Sequence, residues 1–373
     1  MFEDHAKALD TCLTCPSLCQ SACPVFLEDS NRSHSPWGLM QTMNRVRRGQ
    51  IPFDETVAEM SYHCVGCKGC TTQCEHGIEI PPVLEEARQK AVKSDILPSN
   101  IKGFVEKFHR HNNPFSKDLL KRLDEILPAQ KKQKDPKAIY FASCTTISKT
   151  PEIISDTFSL LNKLKIDFVA PYREAIQCCG YPLLSAGAES DFVDLAEVNY
   201  HSLKKLPLIV SGSPACTYTL KTAYKKYHFD LEDKVISINE FLKPYLKNIN
   251  FTLKKKLRTK LMLHDPCYSV RYLDEGLLMR ELIAEVSGYP PGEFFDHQNS
   301  TSCSGQGGCY SVIEKERADR ITKERLKECY EKDTRTVVTQ CPSCVFKMRK
   351  NSKRIVVKDL VSYLNDCIEE ALS

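Results

Sequence analysis

Short apolar runs bounded by polar turns recur along the chain from about residue 137 onward. Runs of this length, flanked by turn residues, are typical of buried parallel strands. The predicted strands are Ala138 to Ser143, Leu208 to Ser211, Leu261 to His264 and Thr336 to Thr339. Between them, apolar positions at helical spacing predict helices over Pro151 to Leu164, Ser190 to Lys205, Leu277 to Val286 and Val312 to Tyr330. Strands that alternate with helices predict two α/β units.

The first 112 residues show a different pattern, in which helix-favouring segments over Trp37 to Arg48 and Pro82 to Lys93 predict a mainly helical domain. Lys117 to Lys137 follows, with leucines and isoleucines at helical spacing before Pro128 and a lysine-rich stretch. We interpret residues 113–136 as a linker. Two alternatives remain for this segment. It is a docking helix for a partner or membrane surface, or it is a solvated connector whose apolar stripe lies on the nearest domain. The predicted domains are therefore 1–112, 137–250 and 251–373, with this linker after the first.

Composition excludes several functional classes. The net charge of +4 is spread over 100 charged residues, which is too slight to indicate binding of nucleic acid. No apolar run approaches the length that a bilayer requires, and Met1 to Asp10 is too highly charged for a cleavable signal peptide. We expect a cytoplasmic protein without a transmembrane segment, held at the inner face of a membrane only through a partner.

Nineteen cysteines fall in groups, and two groups near the start have the spacing of iron–sulfur ligands. The eight residues are Cys12, Cys15, Cys19, Cys23, Cys64, Cys67, Cys70 and Cys74. In two-cluster ferredoxins, three closely spaced cysteines bind one 4Fe-4S cluster and a fourth, usually followed by proline, binds the other cluster. Pro24 follows Cys23 in this way. The pattern predicts one cluster on Cys12, Cys15, Cys19 and Cys74, and a second on Cys64, Cys67, Cys70 and Cys23.

Two departures from that pattern leave all eight ligands in place. Three residues, rather than two, separate Cys15 from Cys19, and Glu75 stands where a second proline is expected after Cys74. Structural zinc is the alternative, since paired Cys-x-x-Cys motifs also suit tetrahedral zinc. Zinc sites, however, do not use four cysteines within about twelve residues twice over, and soft thiolates at this density favour iron–sulfur clusters.

The remaining cysteines reveal an internal repeat. In the first half, Cys144 follows a strand, Cys178-Cys179-Gly180 comes next, and Ser213-Pro214-Ala215-Cys216 follows a later strand. In the second half the counterparts are Cys267, Cys303-Ser304-Gly305 and Cys341-Pro342-Ser343-Cys344. Corresponding cysteines lie 123, 125 and 128 residues apart, which indicates a duplicated unit. Because the ends of parallel strands meet at one edge of a sheet, cysteines from several strand ends can converge on one ligand.

This arrangement resembles a known family. A Cys, Cys-Cys-Gly, Cys-x-x-Cys pattern, present twice behind a two-cluster ferredoxin-like domain, is similar to iron–sulfur subunits related to the D-type subunit of heterodisulfide reductase. The iron–sulfur subunits of glycolate oxidase and anaerobic glycerol-3-phosphate dehydrogenase share it. The resemblance implies a multidomain fold: a mainly α-helical ferredoxin-like domain with two 4Fe-4S clusters, followed by a duplicated α/β cysteine-rich (CCG) domain.

In the reductases of that family, five cysteines are implied to bind an unusual non-cubane cluster at which a disulfide is reduced. Here each motif retains four: Cys144, Cys178, Cys179 and Cys216 in the first, and Cys267, Cys303, Cys341 and Cys344 in the second. Ser213 and Ser304 occupy the fifth positions, and serine is a poor ligand for iron beside thiolates. Four thiolates suffice for a conventional cluster in either or both CCG domains, and Cys309 is a candidate fifth ligand in the second site.

For several other cysteines and histidines, a functional and a purely structural interpretation are both open. Cys341 and Cys344 are spaced like a thioredoxin-type redox pair, although the surrounding repeat favours cluster binding. Cys329 and Cys367 lie in helical segments, as buried thiols do. His63 flanks a cluster cysteine, where it would either donate a hydrogen bond or lie at the surface. The same two alternatives apply to His76.

Three functional hypotheses follow. The first is an iron–sulfur electron-transfer subunit that, by the resemblance, relays electrons from a flavoprotein dehydrogenase subunit to a quinone-reactive subunit or membrane cytochrome. The chain has no Gly-x-Gly-x-x-Gly fingerprint, so the flavin is expected on the partner. The second is a catalytic disulfide reductase subunit acting at a CCG cluster. In the third, the duplicated domain is a metal-free docking platform. Catalytic residues are not identified by the sequence.

Overall fold

The computed structural model describes residues 1–127, 136–174, 178–248, 251–253 and 260–371. Its N-terminal part is helical, with short 3-10 segments at Glu3–His5, Leu18–Ala22 and Arg32–His34. The α-helices are α1 (Ala6–Leu13), α2 (Pro24–Asp29), α3 (Pro36–Arg47), α4 (Glu55–Met60), α5 (Gly69–Thr72), α6 (Pro81–Lys93), α7 (Ser99–His111) and α8 (Leu119–Ile126). This confirms the predicted helices over Trp37 to Arg48 and Pro82 to Lys93.

Local sequence explains where α3 and α6 begin. Ser35 caps α3 by accepting a hydrogen bond from the Gly38 amide at 3.0 Å, and Pro36 occupies the first helical position. Prolines also open α6. Each helix then presents apolar residues at three- and four-residue spacing to a shared core. That core contains Leu39, Met40, Met43, Val83, Leu84 and Ala87.

The first α/β unit has a four-stranded, fully parallel sheet in the order β2-β1-β3-β4. Its strands are β1 (Ala138–Phe141), β2 (Val169–Pro171), β3 (Ile209–Ser211) and β4 (Val235–Ser237). Its helices are α9 (Cys144–Lys149), α10 (Glu152–Lys163), α11 (Tyr181–Ala186), α12 (Glu189–Leu203), α13 (Pro214–Tyr218) and α14 (Ile238–Asn248). A π-helical turn, Thr219–Ala223, and 3-10 turns at Tyr224–Tyr227 and Glu232–Lys234 follow α13.

The second unit repeats this topology, with a parallel sheet in the order β7-β6-β8-β9. Its strands are β6 (Leu261–Leu263), β7 (Gly292–Glu293), β8 (Thr336–Thr339) and β9 (Val356–Asp359). Its helices are α15 (Cys267–Arg271), α16 (Leu278–Ser287), α17 (Tyr310–Ile313), α18 (Lys315–Glu331), α19 (Pro342–Asn351) and α20 (Leu360–Cys367), with a 3-10 turn at Gln298–Ser300. A separate antiparallel pair joins β5 (Phe251–Leu253) to β10 (Ile368–Ala371).

The four predicted strands of the two sheets are confirmed, and the matching strand orders show the duplication directly. One helix prediction was wrong in part: Val312 to Tyr330 is not one helix but α17 and α18. The chain breaks at Glu314, whose φ of −125° and ψ of 55° lie outside the helical region.

The two units share a core, because helices of one pack on helices of the other. Helix α20 of the second unit packs on α10 of the first, and α16 packs on α14. Helix α8 carries part of the predicted linker, and its Leu119 and Leu123 are buried in the core that contains the first sheet. Residues 128–135 of that linker lie outside the described residues.

No helix among the described residues is both long enough and apolar enough to cross a membrane.

Asp359 gives a test of how α20 is held. Its carboxylate caps the helix by accepting from the Val361 amide at 3.0 Å, while Oδ2 has no partner among the described residues. Burial raises the pKa of Asp359 to about 7. Since this folded-state pKa lies above the unfolded value, the stability that Asp359 contributes is present below about pH 4 and is lost as the pH rises towards 7.

We therefore expect Asp359→Asn, which keeps the cap without the buried charge, to raise the melting temperature at pH 8 and to raise it by a smaller amount at pH 5. Each unit of pKa shift corresponds to about 1.4 kcal/mol, so the effect at pH 8 is a few kcal/mol at most. Thermal unfolding at both pH values measures it. Asp118→Asn at the exposed cap of α8 is the control. An equal effect of Asp359→Asn at both pH values would contradict the assignment.

Candidate metal centres

The first group of thiols lies near the surface and contains Cys12, Cys15, Cys19 and Cys74. Burial raises the pKa of Cys12 to about 12, and the thiols of the other three lie close enough to raise it further. Together with Trp37, Cys70 and several apolar side chains, the four line a cavity of about 60 Å³. We name this set the outer thiol group.

Neutral groups hold the loop of the outer thiol group in place. The Cys12 carbonyl accepts hydrogen bonds from Trp37 Nε1 at 2.9 Å and from Gln41 Nε2 at 2.8 Å, both on α3. The Ser17 amide donates to Cys15 Sγ and the Ile78 amide to Cys74 Sγ, each at 3.4 Å. Amide donors of this kind stabilise thiolates and cluster sulfur.

The second group of thiols, Cys23, Cys64, Cys67 and Cys70, lies deeper, and we name it the inner thiol group. Burial raises the pKa of Cys70 well above its usual range, and the thiols of Cys64, Cys67 and Cys23 raise it further. Amides of Gly66 and Gly69 donate to the sulfurs of Cys64 and Cys67 at 3.3 and 3.4 Å. Cys74 thus lies with the outer group and Cys23 with the inner group, which is the exchange that the sequence predicted.

The raised pKa values have a chemical consequence. Buried thiols stay protonated until a thiophilic centre displaces their protons, so occupation of such sites releases protons. Among the described residues, no three or more Cys, His, Asp or Glu side chains converge on a point suited to one metal ion. Thiols spread around a cavity suit a cluster, in which each iron takes its own thiolate, better than a tetrahedral zinc ion.

The first α/β unit gathers Cys144, Cys178, Cys179 and Cys216 at the carboxyl ends of β1 and β3. All four are buried, and Cys178 Sγ lies 3.6 Å from Cys144 Sγ. Hydrogen bonds from Cys178 and Cys216 lower the pKa of Cys179, so one thiolate is stabilised by its neighbours. Asn199 donates to the Cys178 carbonyl at 2.9 Å, and Tyr224 donates to the Cys179 carbonyl at 3.1 Å.

The second α/β unit gathers Cys267, Cys303, Cys341 and Cys344 in the same way, after β6 and β8. A hydrogen bond from Cys267 lowers the pKa of Cys303 to about 7, against the effect of burial. The Gly305 amide donates to Cys303 Sγ and the Cys344 amide to Cys341 Sγ, each at 3.4 Å. We name these two sets the first and second CCG thiol groups.

Serines at the two substituted positions still face the cysteines. Ser304 Oγ donates to Cys344 Sγ at 3.3 Å. In the first unit a hydrogen bond with Ser213 lowers the pKa of Cys216 against the larger opposing effects of Cys179 and burial. Each serine therefore contacts sulfur of the last cysteine in its motif.

The inner thiol group lies directly against the second CCG thiol group. Cys67 and Cys303 share one buried cluster of side chains, and the Cys303 thiol raises the pKa of Cys67, after burial, to about 12. The backbone makes this approach possible: a Cβ on Gly307 would overlap the Val65 carbonyl, and one on Gly308 would overlap the Cys64 carbonyl. Arg271 Nη1 donates to the Cys67 carbonyl at 2.8 Å across the same contact.

A tyrosine-lined cleft, which we name the tyrosine cleft, lies where the three parts of the chain meet. Tyr268 stacks on Tyr272 with ring centroids 4.2 Å apart, and Tyr218 and Tyr181 pack against this pair. The cleft has a volume of about 100 Å³ and includes Gly66 of the inner thiol-group loop. Tyr181, Tyr218 and Tyr268 each follow a CCG cysteine by one or two residues. The cleft therefore adjoins the inner thiol group and both CCG groups.

Family models match the helical part and both α/β units. Residues 8–78 match the model of the 4Fe-4S dicluster domain. Residues 138–221 and 261–349 each match the model of the cysteine-rich (CCG) domain. Both matches to the cysteine-rich domain begin at the first strand of a parallel sheet and extend past its CCG cysteines.

Several curated proteins align along nearly the whole chain. The D-type subunit of dihydromethanophenazine:CoB–CoM heterodisulfide reductase from Methanosarcina barkeri is 25% identical over 386 residues, covering 96% of this chain and 94% of that protein. The B-type subunit of fumarate reductase (CoM/CoB) from Methanothermobacter marburgensis is 24% identical, covering 92% and 68%. The probable glycolate oxidase iron–sulfur subunit of Bacillus subtilis is 23% identical, covering 94% and 90%.

The chain belongs to the CCG-domain iron–sulfur subunits. Membership of this family makes iron–sulfur clusters its cofactors and electron transfer its general role. Three of these proteins are named as subunits of oxidoreductases.

The structure brings together all sixteen cysteines that the sequence assigned to ligand sets, in the four sets expected. Cys309 is different. It belongs to the core that contains the first sheet, whereas Cys303 and Cys267 belong to another buried cluster, and no cysteine of the second CCG group contributes to its raised pKa. Cys329 and Cys367 are buried, His63 is buried and His76 is exposed.

Sequence reasoning missed two arginines at the inner thiol group, Arg88 and Arg271. Arg88 lies on α6 and donates to the Cys64 carbonyl at 3.0 Å, while Arg271 lies on α15 and donates to the Cys67 carbonyl. Neither lies beside a cluster cysteine in the sequence. The one signal for Arg271 was its position on the same short helix as Cys267.

Gly308 tests whether the backbone contact holds the CCG and ferredoxin-like parts together. We expect Gly308→Ala to lower stability strongly, because the added Cβ meets the Cys64 carbonyl and the residue has a φ of +61°. Gly49→Ala is the matched control: it has a φ of +66° with open space around the added atom, so it carries the backbone strain alone, roughly 1–2 kcal/mol. Thermal unfolding of both variants measures the difference. Equal losses would mean that the contact contributes nothing.

Proposed function

We propose that this chain is the iron–sulfur electron-transfer subunit of an oxidoreductase complex. It receives electrons from a flavoprotein dehydrogenase subunit and passes them to a quinone-reactive subunit or membrane cytochrome. The observation that carries this proposal is the continuity of the thiol groups, from the outer group at the surface, through the inner group, to the second CCG group. Iron–sulfur clusters supply one-electron carriers when bound at such groups.

The proposed ligands are those of the four thiol groups. The outer and inner groups each hold a 4Fe-4S cluster, and each CCG group holds a conventional cluster on four thiolates. Serine hydroxyls that donate to cysteine sulfur, as Ser304 does, stabilise a thiolate without replacing it as a ligand. The proposed domains are residues 1–112, 137–250 and 251–373, with 113–136 between the first two.

The surface beside the outer thiol group suits exchange of electrons with a partner. Leu13 and Leu18 flank its cysteines in the sequence, and their side chains are 38% and 54% exposed. Exposed apolar side chains that cluster beside a cofactor site are typical of protein contact surfaces. The donor subunit is therefore proposed to dock here, and the CCG end of the chain faces the acceptor.

A disulfide reductase is the second candidate, and the tyrosine cleft favours it. The cleft adjoins both CCG groups, and a small molecule bound there would contact residues next to their cysteines. The serines at positions 213 and 304 argue against it, since they remove the fifth thiolate from each motif.

Iron and acid-labile sulfide per chain, measured on protein purified without oxygen, test the assignment. We expect about sixteen irons if all four groups are occupied and about eight if only the outer and inner groups are, given four irons per cluster. Cys15→Ala is expected to lose about four irons from the outer group and to leave the rest. If Cys179→Ala and Cys341→Ala left the iron content unchanged, the duplicated domain would be a docking platform.

Paramagnetic resonance distinguishes the relay from the reductase. For a relay we expect the cluster signals to stay unchanged when a small disulfide or its thiol is added to the oxidised or reduced protein. An iron content of about twelve together with a disulfide-sensitive signal would instead favour reduction at a CCG group. Tyr268→Ala, which removes one wall of the tyrosine cleft, would abolish that sensitivity without loss of iron.

A further inference from the structure

The inner and outer thiol groups differ in the charge of the side chains that hold their loops. At the outer group the Cys12 carbonyl accepts from an indole and an amide, which are neutral. At the inner group the carbonyls of Cys64 and Cys67 accept from the guanidiniums of Arg88 and Arg271. Two fixed positive charges therefore lie beside one group and not in the equivalent position at the other.

The remaining hydrogen bonds of the two arginines do not neutralise them. Arg88, which is 7% exposed, also donates to the carbonyls of Ser61 and Ser185. Arg271 donates to the carbonyls of Asn299 and Thr301. Throughout the described residues, every hydrogen bond from these guanidiniums ends on a backbone carbonyl. A buried guanidinium without a carboxylate is uncommon, because burial of a charge is costly unless a counter-charge lies nearby.

One carboxyl that responds to the charge of Arg88 is Glu85, three residues earlier on α6. Burial raises the pKa of Glu85 against the opposing charges of Lys226 and Arg88. Among the described residues Arg88 donates no hydrogen bond to Glu85, so this carboxyl does not pair directly with the guanidinium. The counter-charge that the arginines lack would be supplied by four thiolates and their cluster at the inner group.

Amide donors do not explain a difference between the two groups, because both have them. The Ser17 and Ile78 amides serve the outer group, and the Gly66 and Gly69 amides serve the inner group, at 3.3 to 3.4 Å from sulfur. Burial alone would disfavour the more negative, reduced state at the inner group. The arginines oppose this effect. Arg88 is buried and Arg271 is partly buried, so their charges are screened less than those of fully exposed side chains.

We propose that Arg88 and Arg271 raise the reduction potential of the inner thiol group's cluster above that of the outer group, so that electrons received at the surface run inward towards the CCG domains. This inference rests on the proposed function, because it requires both groups to be occupied. Each step moves one electron, from the donor flavoprotein subunit to the outer group and then to the inner group, and no bond is made or broken. The two arginines act as positioning residues that also fix the charge at the inner group.

A redox titration of the complete holoprotein, followed by paramagnetic resonance, tests the proposal. The Cys15→Ala variant, which retains the inner group, assigns the two sets of signals. We expect the inner-group signal to appear at the higher potential in the unmodified protein. We expect Arg271→Gln to move that signal to lower potential and to leave the outer-group signal in place. Arg271→Lys, which keeps the charge, should restore most of the difference.

Arg88→Gln should act in the same direction as Arg271→Gln, but Arg88 also joins Ser61 to Ser185 and its loss can impair folding. Arg271→Gln therefore carries the test if Arg88→Gln does not assemble. Arg122→Gln on α8, a partly exposed arginine paired with Glu125, removes one charge elsewhere and should move neither signal.

The results separate the inference from the proposed function. An outer-group potential equal to or above that of the inner group, or an inner-group potential that Arg271→Gln does not change, would overturn the inference while the iron content still supported the relay. Absence of iron at either group would instead overturn the proposed function.

Discussion

The contact between two glycines and the loop of the inner thiol group fixes the arrangement of the whole chain. Gly307 and Gly308 lie so close to the carbonyls of Val65 and Cys64 that no side chain fits between the two backbones. The helical part thereby lies against the second α/β unit at its cysteine edge, rather than elsewhere on its surface. Arg271 and Tyr272 then bridge the same contact, the latter by donating to the Gly66 carbonyl at 2.7 Å. The closeness of the inner thiol group to the second CCG thiol group follows from this docking.

The packing of the two α/β units on each other is the second constraint on the arrangement of the thiol groups. Their shared helix packing, α10 on α20 and α14 on α16, holds the two sheets in one core. Gln340, just before Cys341, donates to the Gly212 carbonyl just before Ser213 at 3.2 Å, so the corresponding strand ends also meet. Tyrosines next to the cysteines of both units then close the space between them.

Local signals in the sequence were enough to predict the strands and the four sets of cysteines, for identifiable reasons. Strand β8 coincides with the predicted Thr336 to Thr339, since a short apolar run between turns has few alternatives. The exchange of Cys23 and Cys74 between the N-terminal groups follows from a fixed ligand spacing.

Contacts between distant segments could not be found in this way. Arg88 is 24 residues from Cys64 in sequence, and Arg271 is 204 residues from Cys67, so their proximity depends on packing. The same holds for the break between α17 and α18. Helix α17 begins at Tyr310, which is buried against the N-terminal part, and helical periodicity in the sequence does not predict such a contact.

The substituted serines bear on whether the CCG groups conduct electrons or carry out chemistry. A fifth thiolate would give each motif one ligand more than a four-iron cluster with one thiolate per iron requires, and thus a means of holding an unusual cluster. Ser304 keeps the position and the contact with Cys344 but offers a hydrogen bond in place of a metal bond. Such a bond stabilises the thiolate, and it leaves four sulfurs for four irons. A site with every iron occupied by a protein ligand has no open position for a substrate sulfur. Of the two candidate functions, this coordination favours the relay, and the tyrosine cleft would then contribute mainly to the packing of the two CCG domains.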